Sequence, residues 1–280
     1  MIKQAVDSSR LVTADEKVIT DIMQTIFTEL AKFDLSLTPP ELVQTVHAII
    51  RKHLNNPDPF FNIKKMSTER GLLLAKEAVT AIDKAPNPFA VAVAFAIAGN
   101  ILDFGMKSVW NEEVIVNSFA KAENQASLFD DQVIGELYRE IKSAKTVLVL
   151  GDNAGEAVFD RLLIERFPGK AKILYAVKGS PVINDVTKTE AIESGIDKVA
   201  EIVSNGVDIP GTVISKCSSE FVELYNSADV IIAKGQGNYE TLNEETRKIW
   251  FLLQIKCPVI AKHYNYKVGD WLVKCINGSS

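Results

Sequence analysis

The segment Thr146–Glu156 reads TVLVLGDNAGE, and the interpretation of the whole chain starts from it. It opens with a short apolar run of valine and leucine, which is typical of a strand buried on both faces. The run stops at Gly151, and Asp152 and Asn153 follow directly. From Glu156 to Phe167, apolar residues recur on one side of a predicted helix. A buried strand, a polar loop and a returning helix indicate a β-α-β unit, in which ligands bind at the carboxyl ends of the strands.

Composition excludes several classes of protein. The 280 residues carry a net charge of -5, which argues against nucleic acid as a partner, because phosphate backbones select basic surfaces. No apolar run reaches the ~18–20 residues of a membrane helix, and the first residues lack the apolar core of a signal peptide. Cys217, Cys257 and Cys275 form no Cys-x-x-Cys pair and are typical of reduced thiols. We therefore predict a cytoplasmic protein with neither nucleic acid nor membrane as partner. The oligomeric state stays open, a homo-oligomer included.

The sequence pattern changes near residue 144, which predicts two portions. Residues 1–143 carry helical patterns, among them a helix start at Thr38 with two prolines and Glu41, and an alanine-rich, wholly apolar helix over 87–105. In residues 144–280, strand-like runs alternate with helical patterns, which favours a mostly parallel sheet covered by helices. The predicted strands are 146–150, 173–177, 230–232 and 258–261, with weaker signals at 201–203 and 212–214.

Polar residues follow four of the predicted strands. Because the carboxyl ends of parallel strands meet at one edge of a sheet, we expect these four loops to converge on one crevice. The loops are Gly151–Glu156, Lys178–Thr187, Lys234–Glu240 and Lys262–His263.

The residue types in these loops point to a metal and a phosphate. Asp152, Asn153 and Asp185 offer only oxygen ligands, which suit a hard divalent cation such as Mg²⁺ or Mn²⁺. Lysines supply positive charge, and glycines let backbone amides approach an anion. These residues are Lys178, Lys234, Lys262, Gly179, Gly235 and Gly237. A metal that activates water beside a bound phosphate would allow hydrolysis of a phosphate ester.

Simpler explanations of the same residues stay open. Asp152 and Asn153 would also serve as N-terminal caps of the helix near Glu156, because Asp and Asn are favoured there. Asn184 and Asp185 would serve equally as caps of the following helix, the KGQGN segment would serve as a plain turn, and a single lysine is more often solvated than functional.

Several segments together resemble a known family. GDNAGE, KGSPVINDVT, AKGQGNYETL and LLQIKCPVIA are similar to motifs of the "domain of unknown function 89" family, the damage-control phosphatases. DPFFNIKKMST resembles its Asp-Pro-(Phe/Tyr)-x-x-x-Lys segment, and AGNILDFG its Gly-Asn-x-x-Asp-(Phe/Tyr) segment. The motifs span residues 57–275 in the family's order, and the length is like that of its compact microbial branch. Members of that branch often begin with a Cys-x-x-Cys segment, which is absent here.

The resemblance implies a fold, an activity and a cofactor. The fold is a three-layer α/β/α sandwich with a mostly parallel sheet plus an N-terminal helical portion. Residues 1–143 would pack over the active site, and residues 144–280 would form the Rossmann-like domain that carries the metal. The implied activity is metal-dependent hydrolysis of small phosphate monoesters, such as sugar phosphates or damaged phosphometabolites, with Mn, Mg, Co or Ni as the divalent metal ion.

The resemblance also implies roles for residues. Asp152, Asn153 and Asp185 would bind the metal and carry the catalysis, and whether Asp152 or a water molecule attacks the phosphate stays open. Asn100 and Asp103 would reach the pocket from the alanine-rich helix, unless they are merely its polar end. The residues that would line the phosphate and substrate pocket are Glu156, Asn184, Lys234, Asn238 and Lys262.

Two other functions have weaker support in the sequence. Methyl transfer from S-adenosylmethionine has been proposed for a eukaryotic branch of the family, but GDNAG lacks the glycine-rich loop that such a cofactor favours. A non-catalytic nucleotide or sugar-phosphate binding protein is supported only by the Gly151 and Gly155 spacing, which is not that of a dinucleotide loop.

Overall fold

The computed structural model describes residues 2–34, 37–99, 120–122, 124–263 and 265–276. Its first half is helical, and its second half alternates strands with helices. The helices before the sheet whose full bounds are described are α1 (Ile2–Arg10), α2 (Glu16–Leu30), α3 (Pro39–Leu54), α4 (Phe61–Lys84), α5 (Pro88–Ala98) and α6 (Asp131–Ser143).

The second half forms a six-stranded sheet in the order β3-β2-β1-β4-β5-β6. All pairings are parallel except that of β6, which runs antiparallel to β5. The strands are β1 (Thr146–Leu150), β2 (Lys172–Val177), β3 (Glu201–Ser204), β4 (Val230–Lys234), β5 (Ile249–Gln254) and β6 (Trp271–Ile276). The helices of this half are α7 (Ala157–Ile164), α8 (Lys188–Glu193), α9 (Ser219–Ser227), α10 (Gly235–Leu242) and α11 (Pro258–His263).

The central strand β1 is buried on both faces, as its apolar run predicts. Val147 and Val149 belong to an apolar cluster shared with α4 to α8. Leu148 and Leu150 belong to a second cluster shared with α9 and α10 on the opposite face. The three-layer α/β/α sandwich with a mostly parallel sheet is therefore confirmed.

Two of the predicted strands are wrong. Residues 258–261 lie in helix α11, which begins at Pro258, and proline favours the first turn of a helix over the interior of a sheet. Residues 212–214 form no strand, and a short 3-10 helix covers Ile214–Lys216. The strands β5 and β6 were missed, although IWFLLQ in β5 is an apolar run of the kind that marks β1.

The predicted helix start at Thr38 is confirmed. Thr38 and Glu41 form a reciprocal capping box at the beginning of α3. Helix α5 is buried from Phe89 to Ala98, as its uniformly apolar sequence indicates.

The helical portion does not pack as one unit. Helices α4, α5 and α6 share the large apolar cluster of the sheet. Helices α1 to α3 instead pack on one another around a separate small cluster of Ala5, Ile22, Ile26, Val46 and Ile50. No helix among the described residues is long and apolar enough to cross a membrane.

Candidate functional site

A cleft of about 460 Å³ opens at the carboxyl ends of the central strands. It lies where the strand order reverses between β1 and β4, the position at which open parallel sheets bind their ligands. Asp152, Asn153, Asn184 and Asp185 all line it. The structure thus brings together four of the predicted site residues.

Backbone hydrogen bonds join the loop after β1 (Gly151–Glu156) to the loop after β2 (Lys178–Thr187). The Ala154 amide donates to the Asn184 carbonyl at 3.0 Å, and the Val186 amide donates to the Asp152 carbonyl at 2.8 Å. Asn153 and Asp185 form an isolated antiparallel bridge. The two acids and the amide therefore come from loops that are fixed to each other.

The capping explanation of these polar pairs is wrong. The residue at the N-cap of α7 is Glu156, and no side chain caps that position. Helix α8 is capped by Thr187 with Glu190, rather than by Asn184 or Asp185.

Gly235 permits the close approach of α10 to Asp152. Its φ of 77° lies in the left-handed region, which favours glycine, and a Cβ there would stand 1.9 Å from the Asp152 Oδ2. The first turn of α10 therefore faces a carboxylate, and a helix N-terminus stabilises negative charge. The KGQGN segment thus forms part of the site.

The side chain of Asn153 is oriented by two acids. Its amide nitrogen donates to the Asp152 Oδ2 at 2.9 Å and to the Glu156 Oε2 at 3.2 Å. These two hydrogen bonds use the amide nitrogen and not the amide oxygen, which is the atom that can bind a cation.

Lys234 lies beneath the cleft with its side chain fully buried. Its ammonium group contacts the Glu156 Oε1 and the Asp160 Oδ1, both at 2.5 Å, and donates to the Ala96 carbonyl of α5 at 2.8 Å. Asp160 also accepts from the Tyr175 hydroxyl at 2.7 Å. The predicted substrate residues Glu156 and Lys234 thus form a buried ion cluster under the Asp152 loop.

Asp152 and the ion cluster of Glu156, Asp160 and Lys234 are hereafter called the floor of the cleft. The pKa shifts of Asp152 and Glu156 follow mainly from their burial. Burial and then the neighbouring Asp185 raise the pKa of Asp152 to about 7, against the opposing effect of Lys256, Lys178 and Lys234. Burial also raises the pKa of Glu156 to about 8, although Lys234 opposes the shift. Burial lowers the pKa of Lys234, but Asp160 and Glu156 outweigh it and the net shift is upward.

Lys178 is a buried partner of the second loop. Its Nζ lies 3.5 Å from the Asp185 Oδ2 and donates to the Gly211 carbonyl. Solvation, the simpler explanation for the lysines, is therefore wrong for Lys178 and Lys234. The amide of Gly179 donates to the Val207 carbonyl at 2.8 Å and so joins two loops.

The donor set fits a hard divalent cation with few protein ligands. Among the described residues, no group of three or more His, Cys, Asp and Glu side chains has the spacing of a metal site. A cation in the cleft would be held by Asp152, Asp185 and the Asn153 amide oxygen, which leaves positions for water or substrate oxygens. Two neighbouring buried carboxylates also favour a positive ion between them.

Other predicted site residues lie elsewhere. Asn238 is fully buried, donating to the Lys234 carbonyl at 2.8 Å and to the Gly151 carbonyl at 3.2 Å. Lys262 is exposed on α11 and does not line the cleft. Asn100 and Asp103 lie outside the described residues.

The sequence interpretation missed Gln4 and Lys256, and it gave no role to Gln236 and Glu240 of the predicted loop, although all four line the cleft. Lys256 follows β5, the missed strand, so a correct assignment of IWFLLQ would have found it. The Gln236 Oε1 accepts from the backbone amides of Lys256 and Cys257, and its Nε2 donates to the Glu240 Oε1 at 2.7 Å. These contacts join the ends of β4 and β5.

Ile183 holds a strained position at the edge of the cleft. Its φ is 38°, which is rare for a β-branched residue. Such strain persists only where the surrounding structure enforces it, and it concentrates at functional sites.

Comparisons with known proteins identify relatives of this chain. The model of the "Damage-control phosphatase ARMT1-like domain" family matches residues 1–272. The damage-control phosphatase PH1575 of Pyrococcus horikoshii is 37% identical over 222 residues, which cover 78% of this chain and 75% of the relative. A damage-control phosphatase of Archaeoglobus fulgidus is 33% identical over 276 residues, covering 96% and 93% of the two chains.

A solved structure extends the similarity to the fold. The crystal structure of a DUF89 family protein from Pyrococcus horikoshii superposes with a TM-score of 0.85 at 32% identity, covering 99% of this chain and 96% of that one. The chain therefore belongs to the damage-control phosphatase family, the family whose motifs its sequence resembles.

Proposed function

We propose that this chain hydrolyses small phosphate monoesters with the help of one divalent cation. The observation that carries the proposal is the pairing of the two loops that brings Asp152, Asn153 and Asp185 to one cleft. Family membership supports it, because two of the relatives are named damage-control phosphatases.

Each group at the cleft has a role in this proposal. Asp152, Asn153 and Asp185 would hold the cation, which would polarise the phosphoryl group and lower the pKa of a bound water. Lys256 lines the cleft beside them and would balance the negative charge of the bound phosphate. Asn184 and the first turn of α10 would orient the phosphate oxygens.

The residues beneath the cleft would position those above. The ion cluster of Glu156, Asp160 and Lys234 holds Asn153 through the Glu156 carboxylate. Asn238 holds the end of β1 by its hydrogen bonds to backbone carbonyls. Productive geometry depends on such support, because misplacement by about 1 Å lowers a rate by about 100-fold.

The test is release of phosphate from p-nitrophenyl phosphate and from a panel of sugar phosphates. The chain is first treated with a chelator and then supplied with Mn²⁺, Mg²⁺, Co²⁺ or Ni²⁺. We expect at least one metal to restore turnover, and Asp152→Asn to lower kcat by about 10³-fold. Asp83→Asn, at an ion pair away from the cleft, is the control.

Three results would contradict the proposal in whole or in part. Absence of turnover with every metal and every phosphate ester would remove the activity. Metal-independent binding of S-adenosylmethionine by the same inactive protein would favour methyl transfer instead. Full activity of Asp152→Asn would remove the site assignment and leave the activity.

A further inference from the structure

Helices α1 to α3, hereafter the cap (Ile2–Leu54), are packed as a separate unit. The three helices contact one another pairwise. Their apolar side chains form a cluster distinct from the two that cover the sheet. A unit with its own small apolar cluster can move as a body, because few apolar contacts need to break.

The cap forms one wall of the cleft. Gln4 of α1 and Pro39, Pro40 and Val43 of α3 line it together with the candidate metal ligands. Helix α3 also contacts α10, whose first turn faces Asp152. The cap residues that line the cleft are apolar except for Gln4, which carries an amide, and none of them is charged.

Gln44 and Arg51 of α3 contact Asp208, which lies outside the cap. These three residues are hereafter the latch, and they join the cap to the sheet portion. Arg51 lies 2.5 Å from the Asp208 carboxylate, and Gln44 donates to its other oxygen, also at 2.5 Å. Arg51 also donates to the Pro181 carbonyl at 2.8 Å. Pro181 belongs to the same loop as Asp185, and Asp208 precedes Pro210 in the cleft wall. The latch therefore joins the cap to two loops that shape the site.

The linker after the cap has a conformation suited to a hinge. Asn55 closes α3 with a φ of 47°, and a proline-containing loop leads to α4. The far end of this loop is fixed, because Lys64 is fully buried and forms ion pairs with Asp58 at 2.7 Å and with Glu190 of α8 at 2.8 Å. Movement of the cap would therefore concentrate near Asn55, since hinges are a few loop positions that absorb dihedral change.

We propose that the cap closes on the bound ester, that the latch holds its closed state, and that Gln4, Pro40 and Val43 select the part of the substrate other than its phosphate. The selectivity role rests on the proposed phosphatase function, because that function defines what enters the cleft. The movement of the cap does not depend on it. Apparent affinity falls in proportion to the closed fraction, so weakening the latch raises KM more than it lowers kcat.

The first experiment compares Asp208→Asn with wild type by hydrogen–deuterium exchange of the whole chain. Asp83→Asn is the matched control, because it removes an Arg–Asp pair of 2.6 Å that does not line the cleft. We expect Asp208→Asn to accelerate exchange across Ile2–Leu54 by about tenfold, with β1 and β4 unchanged. The control leaves both regions unchanged. Equal exchange in wild type and Asp208→Asn, or equal acceleration in β1 and the cap, would overturn the latch.

The second experiment measures selectivity with p-nitrophenyl phosphate and larger sugar phosphates. We expect Asp208→Asn to raise KM by about tenfold. Val43→Phe should change the ratio of kcat/KM between small and large esters by about tenfold, because the larger side chain narrows the cleft. An unchanged ratio would overturn the selectivity role. If no ester is turned over, the proposed function fails, and the exchange experiment still decides whether the cap is a latched unit.

Discussion

The floor of the cleft and the cap above it are built in opposite ways. The floor rests on charged groups buried inside the main core, with Lys234 fully enclosed by Glu156 and Asp160. The cap rests on its own small apolar cluster and on a latch whose Arg51 and Asp208 side chains keep 18% and 23% of their exposure.

The difference separates two tasks. In the proposed function the groups that would hold a cation and a phosphate need fixed geometry, and the sheet with its buried ion cluster supplies it. A surface that accepts the variable part of a substrate gains from being able to move. The predictions below test this contrast, starting with the largest expected effect.

Removing the buried ammonium group of Lys234 should give the largest loss of stability. Lys234→Met leaves Glu156 and Asp160 buried without their partner, so the free energy of unfolding in urea should fall by about 3–5 kcal/mol. Lys172→Met is the control, because Lys172 pairs with Glu201 at 2.7 Å on the exposed surface and should contribute about 1 kcal/mol or less. Equal losses in the two variants would show that burial of the cluster is unimportant.

The contact between α10 and Asp152 should be intolerant of a single methyl group. Gly235→Ala places a Cβ on the Asp152 carboxylate, so we expect kcat to fall by about 100-fold. Gly269→Ala is the matched control: its φ of 99° imposes comparable backbone strain, but nothing lies within 4 Å of the new methyl group. Similar kinetic losses in both variants would assign the effect to strain alone.

The cap should lose stability in mild acid. His47 lies buried on α3 against Phe60, and burial, then Arg51, lowers its pKa from 6.5 to about 4. Between these values the unfolded chain binds the proton and the folded chain does not, so stability falls as the pH falls. From pH 6.5 to pH 5 the contribution of His47 to the free energy of unfolding should drop by about 1.5 kcal/mol, whereas the raised pKa values of Asp152 and Glu156 act in the opposite direction. His47→Phe should abolish this part of the dependence, and exposed His53→Phe should retain it.

The two candidate phosphate lysines can be separated. Lys256→Gln should raise KM for phosphate esters by about tenfold, because Lys256 lines the cleft. Lys262→Gln should change KM by less than about twofold, because Lys262 is exposed on α11. A larger effect at Lys262 would support the assignment made from its motif, which stays a prediction.

Much of the fold and the centre of the candidate site can be predicted from local sequence patterns. The apolar run Thr146–Leu150 and the polar residues after it predict β1 and its loop, because both signals are local. Asp185 was found the same way, by expecting parallel strands to end at one edge.

The rest depended on tertiary packing. The sequence prediction places a strand at 258–261 and none at Ile249–Gln254, so it does not bring Lys256 to the site. Burial of Lys234 cannot be derived from its neighbours in sequence, because Ala96 and Asp160 come from distant helices. The separation of the cap from α4 to α6 is likewise a property of the apolar clusters.

Binding of Mn²⁺, measured by electron paramagnetic resonance in wild type and Asp185→Asn, tests the central claim most directly. We predict one ion per wild-type chain and an affinity weakened by about 100-fold or more in the variant, because a direct ligand matters at least as much as its supporting residues. Equal affinity in the two proteins would contradict the assignment of the metal site to the paired loops after β1 and β2.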